Sequence, residues 1–171
     1  MTISDIYNYE DGYIGLNINI DGLPESIVVK GYELVPKSDF HITLINAGAT
    51  ARSIDAENAE SIEKEILYEF KNFIYKQPLD SYQLFKKFRF VTRNERKSII
   101  AVANVPKLKE FFDVLCKKYN TDIPYQPTHA TLYVLPLMGG IGLLSDHQLE
   151  QDSEPVEVPE LENLKFDDIS N

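Results

Sequence analysis

A four-residue pattern, His-x-Thr-Leu, occurs twice in this 171-residue chain, within FHITLI (40–45) and THATLY (128–133), and it constrains the fold more than any other feature. Each copy lies in an apolar run of strand length. On a strand, successive side chains go to opposite faces. His41 and Thr43 therefore share one face, with Phe40, Ile42 and Leu44 on the other. The same alternation groups His129, Thr131 and Tyr133 opposite Ala130, Leu132 and Val134. Each strand thus needs a core behind it and a polar setting in front, because a buried polar group without a partner is costly.

The segments around the two copies read as matching ingredients. YIGLNINI (13–20) alternates as a strand and ends at the Asp21-Gly22 turn signal; residues 26–35 supply a second extended piece, closed by Pro36. After Asp55, the spacing of Ile62, Ile66, Leu67, Phe70, Phe73 and Ile74 predicts a long helix that Pro78 stops. Residues 82–92 and 98–102 predict a hairpin around RNER (93–96). A helix opened by Pro106 then buries Leu108, Phe111, Phe112, Leu115, Cys116 and Tyr119. Beyond Pro136 the chain turns glycine-rich (MGGIGLL). SDHQ (145–148) predicts a helix start with Ser145 as N-cap, which puts His147 on a short surface helix, and PVEVPEL (155–161) suggests an edge strand.

Composition narrows the partners. The length suits one domain, taken here as 1–171 with an acidic segment at 150–171. A formal net charge of −10 disfavours long duplex nucleic acid, whose binding rests on phosphate contacts. No apolar run approaches the roughly 18 residues of a membrane span, and the N-terminus lacks a basic segment followed by an apolar block. The single cysteine, Cys116, fits a helix face and a reducing compartment, so a cytoplasmic, monomeric protein is expected.

Two imidazoles facing one cleft suit general acid–base chemistry, since histidine titrates near neutral pH. One can take a proton from an attacking oxygen while the other gives one to a leaving oxygen. The neighbouring hydroxyls can donate to an anion held between the rings. This describes a phosphodiester site. Other chemistries lack their residues: neither copy carries a carboxylate or a second histidine at ligand spacing, no nucleophile elbow is present, and MGGIG is not followed by Lys-Ser/Thr.

HITL and HATL resemble the paired H-x-T-hydrophobic motifs of the 2H phosphoesterase superfamily, which includes the bacterial RNA ligase-like cyclic phosphodiesterases. The resemblance covers most of residues 12–145 and leaves the acidic tail outside. It implies a bilobal α+β fold: two antiparallel sheets with outer helices, related by a pseudo-twofold axis about a central cleft. It also implies metal-independent, cofactor-free cleavage or transesterification of 2′,3′-cyclic or 2′-linked nucleotide or RNA phosphodiesters. The catalytic residues it carries over are His41, Thr43, His129 and Thr131.

Six of the 17 cations, Lys86, Lys87, Arg89, Arg93, Arg96 and Lys97, fall within twelve residues, a local attractor for phosphate on an acidic protein. Arg89 and Arg93 are taken as substrate-binding candidates, and Tyr133 and Tyr125 as base-stacking platforms. The reading is a hydrolase acting on a small nucleotide or an RNA terminus. The alternative from another class is a nucleotide-binding or scaffolding protein that keeps such a cleft without turnover.

Overall fold

The computed structural model describes residues 6–10 and 12–166; residues 167–171 of the acidic tail lie outside them. The fold is α+β, with one nine-stranded antiparallel sheet. Its first strands are β1 (Tyr7–Glu10), β2 (Tyr13–Ile18), β3 (Ile27–Val29), β4 (Tyr32–Pro36) and β5 (Phe40–Ile45). They are followed by β6 (Gln83–Arg93), β7 (Arg96–Asn104), β8 (His129–Val134) and β9 (Ser153–Pro155). Strand order is β1-β2-β5-β8-β7-β6-β9, and the β3–β4 hairpin joins at β8.

Each His-x-Thr-Leu strand is flanked by a hairpin, β1–β2 beside β5 and β6–β7 beside β8. The expectation of two separate sheets needs correcting. The halves meet edge to edge, β5 on β8 through Ile42↔Ala130 and β4 on β8 through Val35↔Val134 and Pro36↔Tyr133. Strands edged this way share ladder hydrogen bonds, so neither half keeps an open inner edge.

The helices among the described residues are α1 (Ala47–Ile54), α2 (Ala59–Lys76), α3 (Leu108–Tyr119) and α4 (Asp146–Asp152). The predicted apolar stripes bury Ile62, Ile66, Phe70 and Ile74 on α2, and Leu108, Phe111, Phe112 and Leu115 on α3. Phe70 meets Phe111 edge-on at 5.2 Å and Tyr7 at 5.4 Å, so the two long helices and β1 close on one aromatic knot. This layer packs with Ile42, Leu44, Ala130 and Leu132, on the side of the sheet away from the histidines.

A smaller core of Val91, Ile100, Ile141 and Leu143 lies on the opposite face, beneath the 137–144 loop. Arg93 Nη1 donates to Gly142 O at 2.9 Å and Arg96 Nη1 to Gly140 O at 3.1 Å, fastening the loop over the sheet. Ser145 caps α4 by accepting from Gln148 N at 3.1 Å, as SDHQ predicts. Gln148 Oε1 in turn accepts from Leu144 N at 2.7 Å, one residue earlier than the N-cap nitrogen of a capping box. The predicted edge strand at 155–161 is largely displaced: β9 covers only Ser153–Pro155, and a 3₁₀ turn takes Pro159–Leu161.

Candidate active site

Both motif strands bulge at the leucine. Between β2 and β5, Ile14↔Ile45 is followed by Gly15↔Thr43, leaving Leu44 without an opposite residue. Between β7 and β8, Ile99↔Tyr133 is followed by Ile100↔Thr131, leaving Leu132 in the same position. A bulge resets alternation, so two consecutive residues turn to one side. Leu44 with Ile45, and Leu132 with Tyr133, accordingly enter the main core as pairs. The histidine and threonine before each bulge keep the other face.

The two strands then bring their polar faces together. From the pair Ile42↔Ala130, one step along each antiparallel strand sets His41 against Thr131 and Thr43 against His129. All four side chains line one cavity of about 380 Å³, within the size range of small-molecule sites, roughly 300–1,000 Å³. Lys37, Arg96, Tyr13, Asn46 and the Gly139–Gly142 stretch complete its wall. Among the described lining residues no carboxylate occurs, so the pocket concentrates positive charge on an acidic protein.

Glycine is needed where the walls approach closely. A Cβ at Gly15 would sit 3.2 Å from His41 Cδ2, and one at Gly140 would sit 3.1 Å from Thr131 Oγ1. Gln126 bridges the halves beside the cleft: its Oε1 accepts from Asn46 N at 2.7 Å, and its Nε2 donates to Thr50 Oγ1 at 3.0 Å.

The two imidazoles have different backing. His129 is buried and its Nδ1 lies 2.9 Å from Pro127 O. A carbonyl can only accept, so Nδ1 carries the proton and neutral His129 keeps its lone pair on Nε2. Burial holds its pKa below the ordinary value, partly offset by that carbonyl. His41 is stacked on Tyr13 at 4.8 Å and 21°. Its Nδ1 is buried without a hydrogen-bond partner; Asp39 Oδ2 stands 3.6 Å away, outside bonding reach. Desolvation, then the Lys37 charge, pushes its pKa down to about 4, with Asp39 opposing and His129 adding to the drop. Both shifts favour the neutral imidazole near pH 7.

The remaining sequence-predicted residues lie elsewhere. Tyr133, expected beside His129, is fully buried and donates its hydroxyl to Pro24 O at 2.8 Å, because the Leu132 bulge turns it into the core. Tyr125 packs edge-on against Phe112 at 5.2 Å and lies outside the cavity lining. Arg89 shares the cleft face of the sheet but sits two strands away, held by Ser153 Oγ at 2.7 Å and Glu150 at 3.2 Å. Arg93 is consumed by Asp152, at 2.6 Å from Nη2, and by Gly142. His147 is exposed on α4, as expected.

Of the basic stretch, Arg96 is the member that reaches the cavity, and Lys37 joins it from outside the stretch. Alternation does not reach Lys37, which lies outside the strands, just ahead of the bend at 38–39 that leads into β5. Arg96 needed the β7–β8 register. Among the described residues, no three His, Cys, Asp or Glu side chains are grouped to hold a metal ion, and no helix is long and apolar enough to cross a membrane. No protein-family model, no curated protein and no solved structure matches this chain.

Proposed function

We propose that the chain is a phosphodiesterase of the 2H phosphoesterase type that acts on 2′,3′-cyclic or 2′-linked phosphodiesters of small nucleotides or RNA ends without a metal. The carrying observation is that both His–Thr pairs, which are 88 residues apart in the chain (129 − 41), line one cavity with Lys37 and Arg96. In this reading the two hairpin-flanked motif strands are the two lobes, and the pseudo-twofold axis passes through the Ile42–Ala130 pair.

The chemistry needs one neutral and one protonated imidazole. The neutral ring takes a proton from water or a ribose hydroxyl as that oxygen forms its bond to phosphorus. The protonated ring gives its proton to the ribose oxygen whose P–O bond breaks. One proton has then crossed from ring to ring and the charge of the site is unchanged. Thr43 and Thr131 donate to the non-bridging oxygens, and Arg96 and Lys37 oppose the charge that grows on them.

The test is a panel of 2′,3′-cyclic mononucleotides, 2′,5′-linked dinucleotides and cyclic dinucleotides, incubated with the protein in excess EDTA and resolved by chromatography. Turnover that His41→Ala and His129→Ala each abolish, with unchanged circular dichroism, is the expected result. Saturable binding without turnover would replace the enzyme reading with a nucleotide-binding one.

A further inference from the structure

The phosphodiesterase reading leaves one gap. Two neutral imidazoles make two bases, and the reaction needs an acid. The buried Nδ1 of His41 has no partner although a carboxylate lies close by. Asp39 Oδ2 is 3.6 Å from that nitrogen and 3.8 Å from Lys37 Nζ, so one oxygen is shared between two cations-in-waiting and bonded closely to neither. Lys37 also lines the cavity, where its ammonium can turn to an anion.

We propose that Asp39 is a positioning residue for His41, and that an anionic phosphate entering the cleft draws Lys37 away and hands Asp39 to the imidazole, so that substrate binding itself loads the general acid. The inference rests on the phosphodiesterase reading for its chemical purpose. With Lys37 on the phosphate, Asp39 closes the short gap to His41 Nδ1–H, and Nε2 picks up a proton from solvent. His41 is then the acid. His129, backed only by the neutral Pro127 carbonyl and buried, stays neutral and is the base.

The groups that face His41 all bear on this balance. Asp39 and Lys37 come from its own end of the chain, Tyr13 from β2, His129 from β8, and Arg96 lines the same cavity from β7. Asp39 alone among them is negative; Lys37 competes with the imidazole for its Oδ2, while Ser38 Oγ donates to its Oδ1 at 3.3 Å. Before any anion arrives, burial and then the Lys37 charge hold the proton affinity of His41 down, and Asp39 from 3.6 Å opposes them only in part.

The experiment is a titration of the three histidines by NMR in the full chain, with sulfate as a tetrahedral dianion that does not itself titrate in this range. His147, exposed on α4, is the internal reference, and sodium chloride at equal ionic strength is the control. In the wild type, sulfate should raise the His41 midpoint by roughly one pH unit or more, the usual effect of an adjoining opposite charge. Asp39→Asn should lose most of that rise, and Asp39→Glu should recover part of it. Lys37→Gln should start with a raised midpoint and respond little to sulfate. A rise in Asp39→Asn equal to that of the wild type, or no rise in the wild type, overturns the proposal. The two readings fail separately. Cleavage of phosphodiesters with an unaltered response in Asp39→Asn removes the handover and leaves the enzyme. A sulfate response that depends on Asp39, without cleavage of any phosphodiester, removes the enzyme and leaves the handover.

Discussion

On β8, His129 has 4% of its surface exposed and a fixed partner for Nδ1, the Pro127 carbonyl at 2.9 Å. On β5, His41 carries the same local sequence, the same bulge after it and the same threonine beside it, yet its Nδ1 is unpartnered and an exposed carboxylate waits 3.6 Å away. The two copies of His-x-Thr-Leu thus share one placement: each strand is bulged at its leucine, and the two polar side chains before the bulge face the cleft. The pattern does not encode charge state. Burial lowers both rings, and residues outside the pattern, Pro127 in one copy and Lys37 with Asp39 in the other, make the two differ. The two placements match and the electrostatics do not, an asymmetry that the proposed acid–base pair would require.

The largest effect should come from removing either ring. His41→Ala and His129→Ala should each cut kcat by roughly 10²–10⁴-fold, the usual worth of a positioned acid or base. The double variant should lose less than the product, because the rings act as a unit. Steady-state kinetics on a verified substrate measures this. If one alanine variant keeps full activity, the two copies are not partners in one reaction, and their likeness is confined to folding.

Next in size are the hydroxyls. Thr43→Val and Thr131→Val keep the shape while removing a donor to the phosphate, and each should cost roughly ten- to a hundredfold in kcat/KM, somewhat below a full oxyanion-hole donor. Placement by the same bulge predicts losses within a few-fold of each other. A large loss in one and none in the other would show that only one strand holds the phosphate.

Much of this arrangement can be read from residues alone. His41 with Thr43 and His129 with Thr131 follow from alternation, and the α2 and α3 stripes follow from helical spacing. Tyr133 shows where such reasoning stops. Alternation carries its side chain to the cleft, but the bulge at Leu132 inserts one extra step and carries it to the core. A bulge is a property of two strands in register, and neither strand announces it alone. Helix α1 escaped for a different reason: AGATARSI buries Ala47, Gly48, Thr50 and Ala51, small residues that leave no apolar period. Arg89, Arg93 and Arg96 are indistinguishable in the chain. Register and the return of the C-terminal segment decide that two of them become structural and one lines the cavity.

The pH dependence sharpens the asymmetry with a moderate effect. Both rings bind protons less readily in the folded protein than in the unfolded chain, His41 with a value of about 4 against an ordinary 6.5. The unfolded state therefore binds more protons between those values. The stability this confers is present above pH 6.5 and is lost as pH falls towards 4. His41→Asn should flatten that part of the melting-temperature profile, and the wild type should show it in full. Kinetically, a bell set by two lowered values places the optimum of kcat/KM below pH 6.5, while a bound anion, which favours the imidazolium, moves the optimum of kcat to higher pH. Coincident optima would mean that substrate leaves the rings unchanged.

The smallest expected effect separates the arginines. Arg96 lines the cavity, so Arg96→Gln should lower kcat/KM and flatten its dependence on salt, because a cation near the phosphate path loses its pull as ionic strength rises. Arg89 faces the same side of the sheet but is occupied by Ser153 and Glu150, and its charge is already answered there. Arg89→Ala should leave kcat/KM and its salt dependence within about twofold of wild type, with any cost appearing in stability, about 1 kcal/mol, since Arg89 is largely buried but its Glu150 partner is exposed. Arg93→Ala should cost more stability, roughly 1–3 kcal/mol, because it strips a half-buried partner from Asp152 and unfastens the loop at Gly142 from the sheet. Its activity at a temperature well below the midpoint should still approach wild type. A steep loss of salt dependence in Arg89→Ala would instead extend the phosphate path across β7 to β6, and the cleft between the two motif strands would be only its first part.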